Sequence, residues 1–256
     1  DLSLIVLTHA HLDHTGYLPR LVKNGYNGKI YCSNATKDLT EIILLDSAKI
    51  QEEDAKRANE YSYTKHKPAK PLYTVADAKQ TLTQFETFDL NKWYTIDNDI
   101  KFKLINSGHI LGSTIIILNV NDKTVVFSGD LGREVPILLS QHDFVNKADY
   151  LIIESTYGNR IHKKTKIIRE LLQYINHTYL KGGILLIPTF SVERAQEILY
   201  LLSILKHNSL LPKVKIYLDS PMGVNATKVY FKHKKSHKLT DEDMRRMLST
   251  VQLITD

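Results

Sequence analysis

The stretch THAHLDHTGYLP, residues 8 to 19, follows directly on the apolar run LIVL and sets three imidazoles and a carboxylate within six positions. A folded interior does not accept such a group unaided. Crowded and partly desolvated, the imidazoles repel one another once protonated, and every dry polar atom costs free energy. Ligation of a cation removes both penalties. Imidazole and carboxylate are the donors that hold zinc and similar divalent ions, with a position left for water in catalytic sites. In an extended segment residues two apart project to one side, so His9 and His11 grip one ion while Asp13 and His14 turn towards a second.

The same device recurs downstream. IKFKLINSGH places His109 just past a strand and KTVVFSGD places Asp130 just past another, each introduced by a glycine that lets the backbone turn sharply. Strands that deliver ligands at their ends collect them along one rim of a sheet. Five ligands with Asp130 as a bridging carboxylate leave room for two ions. The other histidines, His66, His142, His162, His177, His207, His233 and His237, are isolated and read as surface or satisfied polar groups.

Hydrophobic period organises the rest. Residues 35 to 60 carry apolar side chains at three- and four-residue steps without Gly or Pro, which predicts a long amphipathic helix. YSYTKHKPAKPLY predicts a loop, and TVADAKQTLTQF a second helix opened by a Thr-x-x-Asp cap. KWYTI, IKFKLIN, STIIILNV and KTVVFS alternate as short strands between turn residues, and another apolar run follows at 149 to 153. From about residue 165 the pattern changes: a helix over 163 to 180, then strand, turn and helix in GGILLIPTFSVERAQEILYLLSIL, then a strand in KVKIYLDSPMG. That alternation predicts a parallel βαβ unit and a domain boundary near residue 160. Ser191 reads as a helix N-cap, with a phosphate contact as the alternative.

Composition narrows the partners. A single cysteine, Cys32, excludes a disulfide framework and suits a reducing, cytoplasmic setting, and no apolar stretch approaches a membrane span. The net charge of +6 favours polyanions, although the dense patch KHKKSHK at 232 to 238 reads first as a solvated loop.

With His9, His11, Asp13, His14, His109 and Asp130 in view, the sequence resembles the metallo-β-lactamase superfamily, whose motif is HxHxDH followed by a separate histidine and a separate aspartate. LIIESTYGNR with Glu154, PTFSVERAQEIL and YLDSPMGVNAT resemble the β-CASP branch of nucleic-acid-processing nucleases, and LLDSAKIQEEDA its bacterial members. The resemblance implies an α+β fold, a four-layer αββα sandwich over residues 1–160, with residues 161–256 beginning an inserted α/β β-CASP domain. It implies two divalent ions, zinc by family habit: one on His9, His11 and His109, the other on Asp13 and His14, with Asp130 between them. Asp13 would also accept the proton of the attacking water, and Glu154 would orient an acid histidine. The implied substrate is single-stranded RNA, with DNA as a further substrate and a homodimer as a further assembly. Family members carry additional strands before HxHxDH and two more histidines after the β-CASP domain, so the chain is expected to be a partial sequence cut at both ends. Two other readings stay open. One is a thioester or lactone hydrolase, against which the ERAQE and DSPMG segments speak. The other is a non-catalytic RNA-processing subunit, against which the intact ligand set speaks.

Overall fold

The apolar run before the histidines becomes strand β1 (Leu4–Val6), and the histidine stretch divides into an extended segment and one helical turn, α1 (Leu12–Thr15). The computed structural model describes residues 2–161 and 166–254. The chain divides into two units, Asp1–Glu154 and Ser155–Asp256.

In the first unit α2 (Leu18–Lys23), β2 (Lys29–Ser33), α3 (Asn34–Tyr61), α4 (Val75–Leu82) and β3 (Phe85–Phe88) follow. Strands β1, β2 and β3 pair in parallel in that order, as the helical crossovers between them require. Helix α3 starts on Ser33, whose Oγ accepts the Thr36 N–H, and buries Ala35, Leu39, Ile43, Leu44 and Ala48 along one stripe. The expected Thr-x-x-Asp cap is formed: Thr74 and Asp77 each accept the other's backbone N–H. The helix read through Phe85 stops at Leu82, because the Thr83 and Gln84 N–H groups tighten onto the Gln80 and Thr81 carbonyls. Phe85 then enters the core beside Ile30 and Cys32 as a strand the sequence reading did not include.

The short strands expected between Trp93 and Phe127 form the second sheet of this unit. Strands β4 (Trp93–Thr95), β5 (Ile100–Asn106), β6 (Thr114–Val120) and β7 (Lys123–Phe127) run antiparallel, and β8 (Tyr150–Ile152) adds in parallel to β7. Alternation assigns two faces. Phe102, Leu104 and Ile116 face the first sheet, packing on Val6, Tyr31 and Phe88. Ile105, Ile115, Ile117 and Val126 face the other way, onto Leu131, Val145 and Ala148. Leu18 of α2 and Leu82 of α4 cover the outer side of the first sheet. The order is therefore helices, sheet, sheet; the fourth face is covered, among the described residues, by an irregular segment where the resemblance implies helices.

The second unit holds α5 (Ile167–Leu180), α6 (Arg194–His207), β9 (Tyr217–Asp219), α7 (Pro221–Lys232), α8 (Asp241–Thr250) and β10 (Gln252–Ile254). Positions 163 to 165 of the expected helix, and His162, lie outside the described residues. Two expectations are corrected here. The ILLIP run joins no sheet among the described residues, and Ile184 and Leu186 are 88% and 82% exposed; an all-apolar strand is stable only when covered on both faces. The parallel pair is instead β9 with β10, crossed over by α7 and α8. KHKKSHK, read as a solvated loop, is the end of α7 and a 3-10 turn, and its His237 is buried against the Tyr230 ring with Nε2 on the Tyr230 carbonyl. Among the described residues no helix is long and apolar enough to cross a membrane.

Candidate metal centre

Three chain segments of the first unit meet at the rim where its two sheets approach. The Leu7 N–H still pairs with the Tyr31 carbonyl, and the Thr8 carbonyl accepts both the backbone N–H and the hydroxyl of Thr114, at 2.7 and 3.0 Å. That stitch leaves His9 fully buried at the end of the extended segment. His109 sits in the β5–β6 loop, where the Ser113 hydroxyl accepts the N–H groups of both His109 and Ile110 at 3.0 and 3.1 Å. The same loop is tied to the start of α3, because the Gly112 carbonyl accepts the Ser33 and Thr36 hydroxyls at 2.6 and 2.9 Å. Asp130 follows β7 after Gly129, whose φ of +53° lies in the left-handed region; a Cβ there would come within 2.7 Å of Thr8. Gly132 presses on Gly108, so the loops carrying Asp130 and His109 touch backbone to backbone.

Four donor atoms converge, all within 4.8 Å of one another. His11 Nδ1 lies 3.1 Å from His9 Nε2 and 3.1 Å from His109 Nε2. Asp130 Oδ2 lies 3.3 Å from His109 Nε2 and 3.8 Å from His9 Nε2. A neutral imidazole nitrogen has either one proton or one lone pair, so His11 Nδ1 cannot satisfy both neighbours. A cation at the centre satisfies all of them. With metal–nitrogen bonds of about 2.0 to 2.1 Å, tetrahedral ligands stand roughly 3.3 Å apart, and the four measured separations bracket that edge. The donor set fits a divalent ion.

The two other predicted ligands stand on the far side of Asp130. His14 Nε2 is 3.4 Å from Asp130 Oδ1 and 3.5 Å from Asp13 Oδ2. The two carboxylate oxygens of Asp130 thus face different groups: Oδ2 the His9, His11 and His109 set, Oδ1 the His14 and Asp13 set. Asp13 and His14 are presented by the helical turn α1, which carries them off the extended segment of His9 and His11, and the His14 ring remains 4.1 Å from that of His9. Asp13 is 77% exposed, the open side of the cluster.

Burial, followed by the neighbouring rings of His14, His11 and His109, pushes the His9 pKa down to about 2. Burial also lowers His11, with His109 adding to it and Asp13 and Asp130 opposing. His109 is lowered by burial against the pull of Asp130 and Glu154. These rings therefore keep their lone pairs free near neutral pH.

The surroundings hold the donors in place. Thr8 Oγ1 lies 3.1 Å from His9 Nδ1, which commits the opposite nitrogen to the cluster. Glu154, just beyond β8, accepts the Leu131 N–H at 2.6 Å, while its own N–H donates to Ser128 Oγ at 3.1 Å. Residues on both sides of Asp130 are thereby clamped. Thr8, Ser33, Thr36 and Ser113 were not among the sequence candidates; the readable signals are a hydroxyl directly before HxH and a serine four positions after His109. Ser191 belongs to the second unit, where its Oγ is 3.1 Å from that of Ser220, and the N-cap of α6 is Glu193 instead.

Residues 1–151 match the family model of the metallo-beta-lactamase superfamily, and residues 195–256 match that of the Beta-Casp domain. Fold and ligand pattern together define the class: the chain belongs to the metallo-beta-lactamase superfamily, in its β-CASP branch. Among its relatives, Ribonuclease TTHA0252 of Thermus thermophilus is 35% identical over 231 residues, covering 90% of this chain and 49% of that protein. An RNase J-like protein of Methanocaldococcus jannaschii is 32% identical over 233 residues, covering 90% and 50%. Transcription termination factor FttA of Methanothermobacter thermautotrophicus is 33% identical over 226 residues, covering 86% and 33%. The chain thus spans between a third and half of the length of these relatives.

Proposed function

We propose that the chain carries the metal-binding part of a hydrolase that cuts RNA phosphodiester bonds with two divalent cations, zinc in the first instance. Residues 1 to about 160 form the metallo-β-lactamase domain in this reading, and 161–256 open the β-CASP domain. The observation that supports it best is the set of donor separations between 3.1 and 3.8 Å around His9, His11, His109 and Asp130. Those four would hold one cation. Asp13 and His14 would hold the other, with Asp130 reaching both through its two oxygens.

Bound cations supply Lewis acidity, lowering the pKa of a water and neutralising charge on the non-bridging phosphate oxygens. The chain's own groups do the rest. Asp13, exposed beside His14, accepts the proton of the attacking water. Glu154 holds the Asp130 loop through Leu131. The names of the relatives, a ribonuclease, an RNase J-like protein and a termination factor, favour RNA as the substrate.

The test uses the full-length protein: metal content by elemental analysis, then hydrolysis of labelled single-stranded RNA and DNA with and without chelator. Cleavage of RNA that is lost on chelation and restored by zinc is expected. Chelator-resistant cleavage, or a zinc-loaded protein that cuts neither polymer, overturns the reading; hydrolysis of a thioester in place of RNA transfers the site to the other metallo-hydrolase class.

A further inference from the structure

At the end of α3 the chain reads YSYTKHKPAKPLY, residues 61 to 73, with three lysines, a histidine and no carboxylate. The segment is fastened to the helix it leaves. The Asn59 side-chain amide brackets Ala69, donating to its carbonyl at 3.0 Å and accepting its N–H at 2.7 Å. The Leu72 N–H donates to Gln51 Oε1 at 3.1 Å, and Tyr73 is buried with its hydroxyl on Ser47. What this anchoring holds outward is aromatic and cationic. Tyr61 and Tyr63 are 70% and 68% exposed, and Lys65, His66, Lys67 and Lys70 are exposed beside them. An open cleft of about 760 Å³ lies between the loop and the last turns of α3, lined by Tyr63, His66, Lys70 and Gln51, with Asp54 the one carboxylate on its wall.

Among the described residues some surface lysines are held in ion pairs, and others, those of this loop among them, are not. Lys23, Lys92, Lys123 and Lys234 each have a carboxylate partner within 3.6 Å. Among the described residues Lys65, Lys67 and Lys70 have none. Two outward tyrosines interleaved with three uncompensated ammonium groups match the two demands of a single strand: flat faces for unpaired bases and positive charge for the phosphates.

We propose that residues 61–72 are a contact for single-stranded RNA remote from the metal centre, an inference that rests on reading that centre as an RNA hydrolase. The 28 residues of α3 extend about 40 Å, and their N-terminal end is the one tied to the His109 loop. The contact therefore grips a part of the strand far from the scissile bond, so it acts on long RNA and leaves short RNA untouched. Each tyrosine carries a stacked base and the lysines carry phosphates.

The test compares the full-length, metal-loaded protein with the triple variant Lys65→Ala, Lys67→Ala, Lys70→Ala and the pairs Tyr61→Ala, Tyr63→Ala and Tyr61→Phe, Tyr63→Phe. Binding of an oligouridylate of about 30 nucleotides is followed by anisotropy across a salt series, and hydrolysis of a trinucleotide is measured in parallel. The lysine variant is expected to weaken long-RNA binding and flatten the log–log salt slope by about 2, three phosphates at roughly 0.7 each. The alanine pair is expected to lose about ten-fold in affinity per tyrosine, with the phenylalanine pair retaining it and trinucleotide hydrolysis unchanged throughout. Parental affinity and slope in the lysine and alanine variants overturn the inference while normal trinucleotide hydrolysis leaves the function standing. Equal competition by polyglutamate that ignores the tyrosines overturns it in favour of an acidic protein partner. A parent that neither binds nor cuts RNA removes the function and the inference together.

Discussion

Replacing Gly132 with alanine tests whether the metal centre depends on two loops touching through bare backbone. A Cβ on Gly132 would stand 1.9 Å from the Gly108 carbonyl oxygen and 2.3 Å from its carbon, both rigid main-chain atoms. Ordinary contact begins near 3.4 Å, so the loops must part by about 1.5 Å. The motion has direct consequences, because Gly108 precedes His109, Gly132 follows Asp130 by two residues, and these candidate ligands lie 3.3 Å apart. It also breaks the 2.9 Å hydrogen bond from the Gly132 N–H to the Ser107 carbonyl. Losing that bond and overpacking the junction cost roughly 2 to 4 kcal/mol together. Ligand distances must hold to within about 0.2 Å, so divalent-ion affinity should fall by about 10- to 100-fold, the cost typical of losing what orients a metal ligand. Zinc titration by calorimetry, with thermal melts before and after chelation, measures both quantities. The control is Gly25→Ala, where the added carbon meets open space and only the strain of φ +104° is felt. A Gly132→Ala protein with parental zinc affinity and an unchanged melting temperature refutes the argument that this contact sets the His109–Asp130 separation.

Three further substitutions probe the same packing and hydrogen bonds. Thr8→Val removes the hydroxyl from His9 Nδ1 at nearly constant volume and should lower metal affinity about 10- to 100-fold with little change in the apo protein's melting point. Phe102→Ala empties a 1%-exposed site between the two sheets and should cost roughly 3 to 5 kcal/mol in urea unfolding. The hydrogen bond from Lys23, followed by the Thr74 N–H, holds the Asp77 carboxyl below its ordinary value. A depressed carboxylate pKa contributes stability that is present above the unfolded value, near 4, and is lost as pH falls through the folded one. Asp77→Ala should therefore cost about 1 kcal/mol at pH 7 and progressively less as pH falls below about 4, read from urea midpoints across a pH series.

Much of the centre was legible because its residues combine chemistry with period. HAHLDH announced itself by crowding imidazoles that have no bland reason to be neighbours, and the Gly-His109 and Gly-Asp130 steps announced theirs by following apolar strands. The capping pair Thr74 and Asp77 was legible for a related reason: both partners lie within one helical turn. Strand β3 was not legible, since its four residues carry too little alternation to outvote the helix before them, and Phe85 is a strand residue only because Ile30 is beside it. The ILLIP run misled in the opposite sense. Its composition suits a buried strand, but composition cannot supply the neighbours that bury it.

The candidate ligands, the strands that precede them and the family to which the chain belongs are legible in the sequence by itself, because donor chemistry and side-chain period are local. The division of labour within Asp130, with Oδ2 towards His9 and His109 and Oδ1 towards His14, belongs to the tertiary structure. So does the task of Glu154 on the Leu131 N–H, 23 residues away. Distances of 3 to 4 Å between atoms more than a hundred residues apart arise from how two sheets pack and two loops meet. No local pattern encodes that.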